Sequence, residues 1–209
     1  MYIPRANQED RIPVLHKLME EQPFASLITM GSSGLFASHI PMVLEQNGAM
    51  GRLKGHISRA NTQWRDYTAS VEALAIFSGP QHYITPNWYV EKQETGKVVP
   101  TWNYVVVHAY GFLKIIEDRE WLMAHLASLT NIHEAESPVP WKIGDAPGDY
   151  IAALAKGIVG LEMTIERLEG KWKVSQNRSE QDRSGVAKGL TELNTTESLA
   201  MKTLVEKRD

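Results

Sequence analysis

Two stretches of this chain carry side chains whose types and spacing could do chemistry. In Leu53-Lys54-Gly55-His56-Ile57-Ser58-Arg59-Ala60-Asn61, strand alternation puts Lys54, His56 and Ser58 on one face, and Arg59 and Asn61 follow where a helix should begin. Two cations, a hydroxyl and exposed amides at a helix start suit an anion, with a phosphate monoester as the natural guest. The competing reading is a solvated strand face with Arg59 paired to a carboxylate. In Thr101-Trp102-Asn103-Tyr104-Val105-Val106-Val107-His108, introduced by Val99-Pro100, an indole, an amide, a phenol and an imidazole sit inside a β pattern. Polar groups beside a ring surface at the mouth of a strand are what a planar, polar cofactor needs. The bland alternative is a strand with Trp102 and Tyr104 in the core and Asn103 capping a turn.

Two further segments add polar and aromatic groups. Gly79-Pro80-Gln81-His82-Tyr83-Ile84-Thr85-Pro86-Asn87-Trp88-Tyr89 displays four rings between two prolines, a layout for a rigid ligand wall, a dimer interface or plain packing. Gly170 to Arg178 delivers Gln176, Asn177 and Arg178 at the end of a strand, where they can terminate it or reach an anion. The histidines at 16, 39, 56, 82, 108, 125 and 133 lack His-x-x-x-His and His-Glu-x-x-His spacing, so no metal site is expected. Gly-x-Ser-x-Gly, the P-loop and the Gly-x-Gly-x-x-Gly turn are missing, which argues against hydrolase, nucleoside-triphosphatase and Rossmann chemistry.

The elements that must position these residues come from a chain of 209 residues, 43% hydrophobic, with six Trp and seven Tyr, enough for a sizeable core. A formal charge of -3 gives no broad cationic field, leaving at most a local basic surface for DNA. There is no cysteine, which fits a reducing compartment; no signal-peptide pattern and no apolar run of ~20 residues is present, and a cytoplasmic protein without a membrane span is expected.

Apolar spacing at Ile12, Leu15, Leu18 and Met19 predicts a helix ending before Pro23. Strands follow over 24–30 and 35–44, the second interrupted by Pro41, then a tight Asn47-Gly48 hairpin and a returning strand over 51–58. A short helix is expected over 61–70, a strand over 71–78 broken at Gly79-Pro80, a charged loop over 90–99, and one long strand over 101–116 bent at Gly111. Asp118 should cap a helix carrying Trp121, Leu122, His125, Leu126 and Leu129. A Pro-rich loop over 137–147, a short helix over 149–156 and a hairpin around Glu169-Gly170 come next. From Glu180 the chain reads as helical with a stripe of Val186, Leu190 and Leu193, and its last few residues should fray. Short antiparallel strands with flanking helices point to a small barrel.

These motifs, in this order, resemble the PaiB family: Met1-Tyr2-Ile3-Pro4, Ser38-His39-Ile40-Pro41, Gly55 to Asn61 with Gln63-Trp64, Tyr83 to Tyr89, Val99 to Tyr104 with Val107-His108, and Ser175-Gln176-Asn177-Arg178. The resemblance covers nearly the whole chain. It departs at Thr62, where Pro is usual, and at Gln81-His82, where Gly-Pro-His is usual. That family is described as FMN-binding negative transcriptional regulators. The resemblance implies a mainly β, antiparallel Greek-key FMN-binding split β-barrel of the pyridoxamine-phosphate-oxidase type. It implies one domain over 1–209, with a helical insertion near 118–157 and a helical tail near 180–209. It also implies a homodimer with FMN at the subunit interface. The residues expected to bind FMN are His39, Pro41, Lys54, His56, Ser58, Arg59, Asn61, Thr101, Trp102, Asn103, Gln176 and Arg178. DNA could be met directly or through a partner protein. Two other functions stay open: an FMN-dependent oxidoreductase resembling flavin reductases, and a flavin-free dimeric interaction module.

Overall fold

Alternation of apolar and polar residues makes the strands. In Phe24–Gly31, Ala25, Leu27 and Thr29 are buried and their neighbours are not; in Arg52–Ser58, Leu53, Gly55 and Ile57 point in. The structure, a computed structural model, describes residues 1–207. Its strands are β1 (Gln8–Glu9), β2 (Phe24–Gly31), β3 (Gly34–Pro41), β4 (Val43–Glu45), β5 (Arg52–Ser58), β6 (Ala73–Ile84), β7 (Thr101–Ile116) and β8 (Ile158–Lys173). The helices are α1 (Ile12–Glu21), α2 (Glu91–Glu94), α3 (Arg119–Glu134), α4 (Gly148–Ala155), α5 (Glu180–Leu193) and α6 (Thr196–Glu206). No helix among the described residues is long and apolar enough to cross a membrane.

The chain divides into two compact units, one of Met1–Leu18, Ser78–Val107 and Glu169–Asp209, the other of Met19–Phe77 and His108–Leu168. In the second unit the strand order is β3-β2-β6-β7-β8-β5-β4. The β2–β3 hairpin keeps register from Phe24↔Pro41 to Gly31↔Gly34, and β5 pairs antiparallel with β8 from Arg52↔Thr164 to Ser58↔Ile158. Leu27, Leu53, Phe77, Leu161 and Met163 form much of its core. In the first unit, Ile84, Tyr89, Val186, Leu190, Met201 and Val205 form a cluster with Trp88 against it.

Several elements differ from the sequence reading, each for a local reason. The Asn47-Gly48 turn is not tight: the last β4–β5 pair is Glu45↔Arg52, so residues 46–51 connect the strands, with Gly48 and Gly51 both at positive φ. The helix expected over 61–70 is one 3-10 turn, Thr62–Trp64, because buried Gln63 turns inward and donates from Nε2 to Leu27 O at 3.2 Å and Thr29 Oγ1 at 3.1 Å. β6 runs through Gly79-Pro80; its register with β2 covers Leu74–Ile76 only, so Pro80 interrupts no ladder on that side. β8 is continuous through Glu169-Gly170, since Gly170 pairs with Glu9 of β1 and a Cβ there would meet Leu15 Cδ2 at 2.3 Å and Glu9 O at 2.6 Å. That glycine serves close approach, not a turn. The charged loop over 90–99 holds the short α2. In α5, Val186 and Leu190 are buried, but Leu193 is 48% exposed. The expected fraying concerns Arg208 and Asp209, which lie outside the described residues.

Candidate functional site

On β5 of the second unit, Lys54 and His56 share a face, as alternation required, and α3 lies over it. Asp118 caps α3, its Oδ1 accepting from Trp121 N at 2.8 Å, which fixes where Trp121 and His125 rise from the first turns. Gly160 of β8 makes room for the indole: a Cβ there would meet Trp121 Cζ3 at 2.4 Å. The His125 ring stacks on Trp121 with centroids 5.3 Å apart, and His56 Nδ1 lies 3.1 Å from His125 Nε2. Lys54 pairs with Glu45 and stands 5.6 Å from the Trp121 ring centroid.

Burial sets the protonation of this pair. His125 is pushed down to about 4, first by burial and then by the neighbouring His56 and Lys54 charges, with Glu45 opposing. Burial also lowers His56. Both imidazoles are neutral at pH 7. Sequence reasoning put His125 on a helix face without seeing this partnership; the signal was its one-turn spacing from Trp121 and the parity of His56 with Lys54.

Arg59 leaves β5 where the strand ends. Its Nη1 pairs with Glu117 Oε2 at 2.5 Å, Nε donates to Lys156 O at 3.1 Å and Nη2 to Ile158 O at 3.3 Å. The guanidinium is thus held by one carboxylate and two carbonyls at the wall of a cleft of about 350 Å³, which Arg119, Lys156, Leu122 and Ala152 also line. Three cations there face one carboxylate, a surplus of positive charge. Ser58 is exposed, its Oγ accepting from Ala60 N at 3.2 Å. Asn61 caps the 3-10 turn and donates to Ser38 Oγ at 2.9 Å, while His39 Nδ1 lies 2.9 Å from Ser26 Oγ and Pro41 ends β3.

The remaining expected residues belong to the first unit. Thr101 Oγ1 accepts from Lys173 Nζ at 2.5 Å. Asn103 is fully buried, donates to Ser175 Oγ at 2.9 Å, and leaves its Oδ1 without a partner. Ser175 holds φ at 64°, a left-handed position that turns the chain after β8. Trp102 is 49% exposed, donates to Gln81 Oε1 at 3.1 Å and meets Tyr83 edge-on. Gln176 pins backbone, donating to Ala6 O and Trp172 O and accepting from Val174 N. Arg178 lies 4.5 Å from the Tyr89 ring centroid and pairs with Glu91. Of the four rings over 79–89, Tyr89 is only 2% exposed, Trp88 packs against the α5–α6 cluster and His82 is half-buried, which leaves Tyr83 as the open one.

Residues 1–167 match the family model described as "Putative FMN-binding domain". The chain is 35% identical to an uncharacterised protein of Emericella nidulans over 100% of this chain and 97% of that one. It is 29% identical to the protease synthase and sporulation protein PAI 2 of Bacillus subtilis over 99% and 97%. Among solved structures, a conserved hypothetical protein of Mycobacterium tuberculosis aligns with TM-score 0.59 at 10% identity, covering 86% of this chain and 95% of that one. The flavocytochrome Anf3 of Azotobacter vinelandii aligns with TM-score 0.57 at 13% identity, covering 88% and 78%. These likenesses show a shared fold, the antiparallel sheet with flanking helices described above. The cofactor FMN carries a phosphate monoester, and the surplus of positive charge at the Arg59 cleft fits that group. The match over 1–167, which is most of the chain, shows that it belongs to the family described as "Putative FMN-binding domain".

Proposed function

We propose that the protein is an FMN-binding negative regulator of transcription that acts as a homodimer. The observation that carries the flavin part is the cleft where Arg59, Arg119 and Lys156 surround the single carboxylate of Glu117. Arg59 would take the phosphate through charge-assisted hydrogen bonds, exchanging its contact with Glu117 for one with a doubly charged oxyanion. Ser58 and Asn61 flank it on the same segment. In the other unit, Trp102 carries an open indole and Asn103 a buried carbonyl oxygen without a partner. Lys54 and His56, covered by α3, are engaged with Glu45 and His125 and would stand behind the site rather than in it. When bound, FMN supplies redox chemistry or a redox-sensitive ligand state; the chain's own residues bind and orient it.

The regulatory part rests on the likeness to PAI 2, whose name ties that protein to protease synthesis and sporulation. A ligand shifts a regulator only by binding its two states unequally, so DNA affinity should differ between FMN-loaded and FMN-stripped protein. The test measures retention of DNA from the protein's own promoter region, with and without FMN, at rising salt. Retention that responds to FMN and falls steeply with salt is expected. Rapid oxidation of a reduced nicotinamide donor without specific DNA retention would contradict the proposal.

A further inference from the structure

The helices over β5 leave a second cleft, of about 220 Å³, lined by His56, Leu126, Trp141, Ile143, Ile151 and Ile158 among others. Apart from His56 and the Thr130 hydroxyl, the side chains lining it are hydrocarbon or indole. An apolar cavity of about 150 Å³ stays dry and accepts benzene. This volume is therefore right for one aromatic ring with a short substituent, and smaller than the roughly 300 Å³ at which sites for larger ligands begin.

His56 decides what the substituent must be. Its Nδ1 lies 3.1 Å from His125 Nε2, so one ring donates to the other. His125 Nδ1 is buried without a partner. If His56 donated, neutral His125 would carry its proton on that buried Nδ1, an orphaned N–H donor. If His125 donates through Nε2, its Nδ1 keeps only an unpaired lone pair, the cheaper of the two to leave unmet. His56 then accepts at Nδ1 and, being neutral, must hold its own proton on Nε2. That nitrogen has no hydrogen-bond partner among the described residues, and the ring lines the cleft. His125 thus fixes the tautomer in which His56 offers an N–H.

We propose that this cleft binds a small, uncharged aromatic carbonyl compound, its ring among Trp141, Ile151 and Ile158 and its oxygen accepting from His56 Nε2. A carboxylate is disfavoured, because the lining supplies no cation to offset its burial. The site is separate in chemistry from the Arg59 cleft, which needs an anion.

Acetophenone and its carbonyl-free counterpart ethylbenzene test this by titration into the full-length protein, followed by tryptophan fluorescence and calorimetry. Acetophenone should bind about threefold to tenfold more tightly, the span of one neutral hydrogen bond. His56→Leu should abolish that preference while leaving ethylbenzene binding within about twofold. Ile143→Phe, which fills the cleft from the loop after Trp141, should remove binding of both and settles the location even if His56→Leu does not fold. Saturating FMN should leave acetophenone binding in place. Equal affinity for the two probes, an undiminished preference in His56→Leu, binding that survives Ile143→Phe, no binding of either at millimolar concentration, or displacement by FMN would each overturn the proposal.

Discussion

At the scale of single residues, the two imidazoles on β5 and α3 carry a pH dependence whose sign follows from their burial. His125 titrates at about 4 in the folded protein against its ordinary 6.5, so between these values the unfolded chain binds a proton that the folded chain refuses. Stability is therefore complete above pH 6.5 and falls progressively as the pH drops toward 4. The groups facing the pair are Lys54, which adds to the effect, and Glu45, which opposes it. Urea midpoints measured at intervals between pH 7 and pH 4 should fall for the wild type and fall less for His125→Phe; identical profiles would contradict the assignment. Arg59 carries a second prediction. Its contact with Glu117 competes with a bound phosphate, so Glu117→Gln should tighten FMN binding about twofold to tenfold, read by flavin fluorescence. A weaker FMN complex in Glu117→Gln would mean that the carboxylate helps rather than competes.

At the scale of elements, the sequence was most readable where one force dominated. The span of β7, Thr101–Ile116, and the Asp118 cap of α3 were both legible, the first from its β-branched and aromatic residues on either side of Gly111 and the second from one oxygen acceptor before an apolar helical stripe. The breaks expected at Gly79-Pro80 and Glu169-Gly170 were misread because glycine and proline mark turns only when nothing else uses their geometry. At Gly170 the missing side chain admits β1 and α1. The site was legible as parity, Lys54 with His56, but not as partnership: Glu117, His125 and Lys156 are distant in sequence from the residues they meet, and only tertiary packing brings them together. Gly160 illustrates the same point, reading as an ordinary strand glycine until Trp121 lies across it. Gly160→Ala should cost about 1 to 3 kcal/mol by forcing that indole off β8, seen as a lower urea midpoint. No change in midpoint would show that α3 is not seated as described.

At the scale of the whole molecule, Trp102 and Tyr83 leave an open aromatic surface, and such surfaces commonly mark an interface. Sedimentation equilibrium at micromolar concentration should report a dimer, and Trp102→Ala should weaken it; a monomer that still binds FMN would remove the twofold arrangement. The central claim is that FMN is held by its phosphate at Arg59. Paired titrations of FMN and of riboflavin, which lacks the phosphate, into wild type and a folded Arg59→Ala protein test it most directly. Wild type should prefer FMN strongly, and Arg59→Ala should weaken FMN binding by roughly ten- to a hundredfold while leaving riboflavin nearly unchanged. Equal FMN affinity in the two proteins, or no preference for FMN over riboflavin in the wild type, would contradict the account.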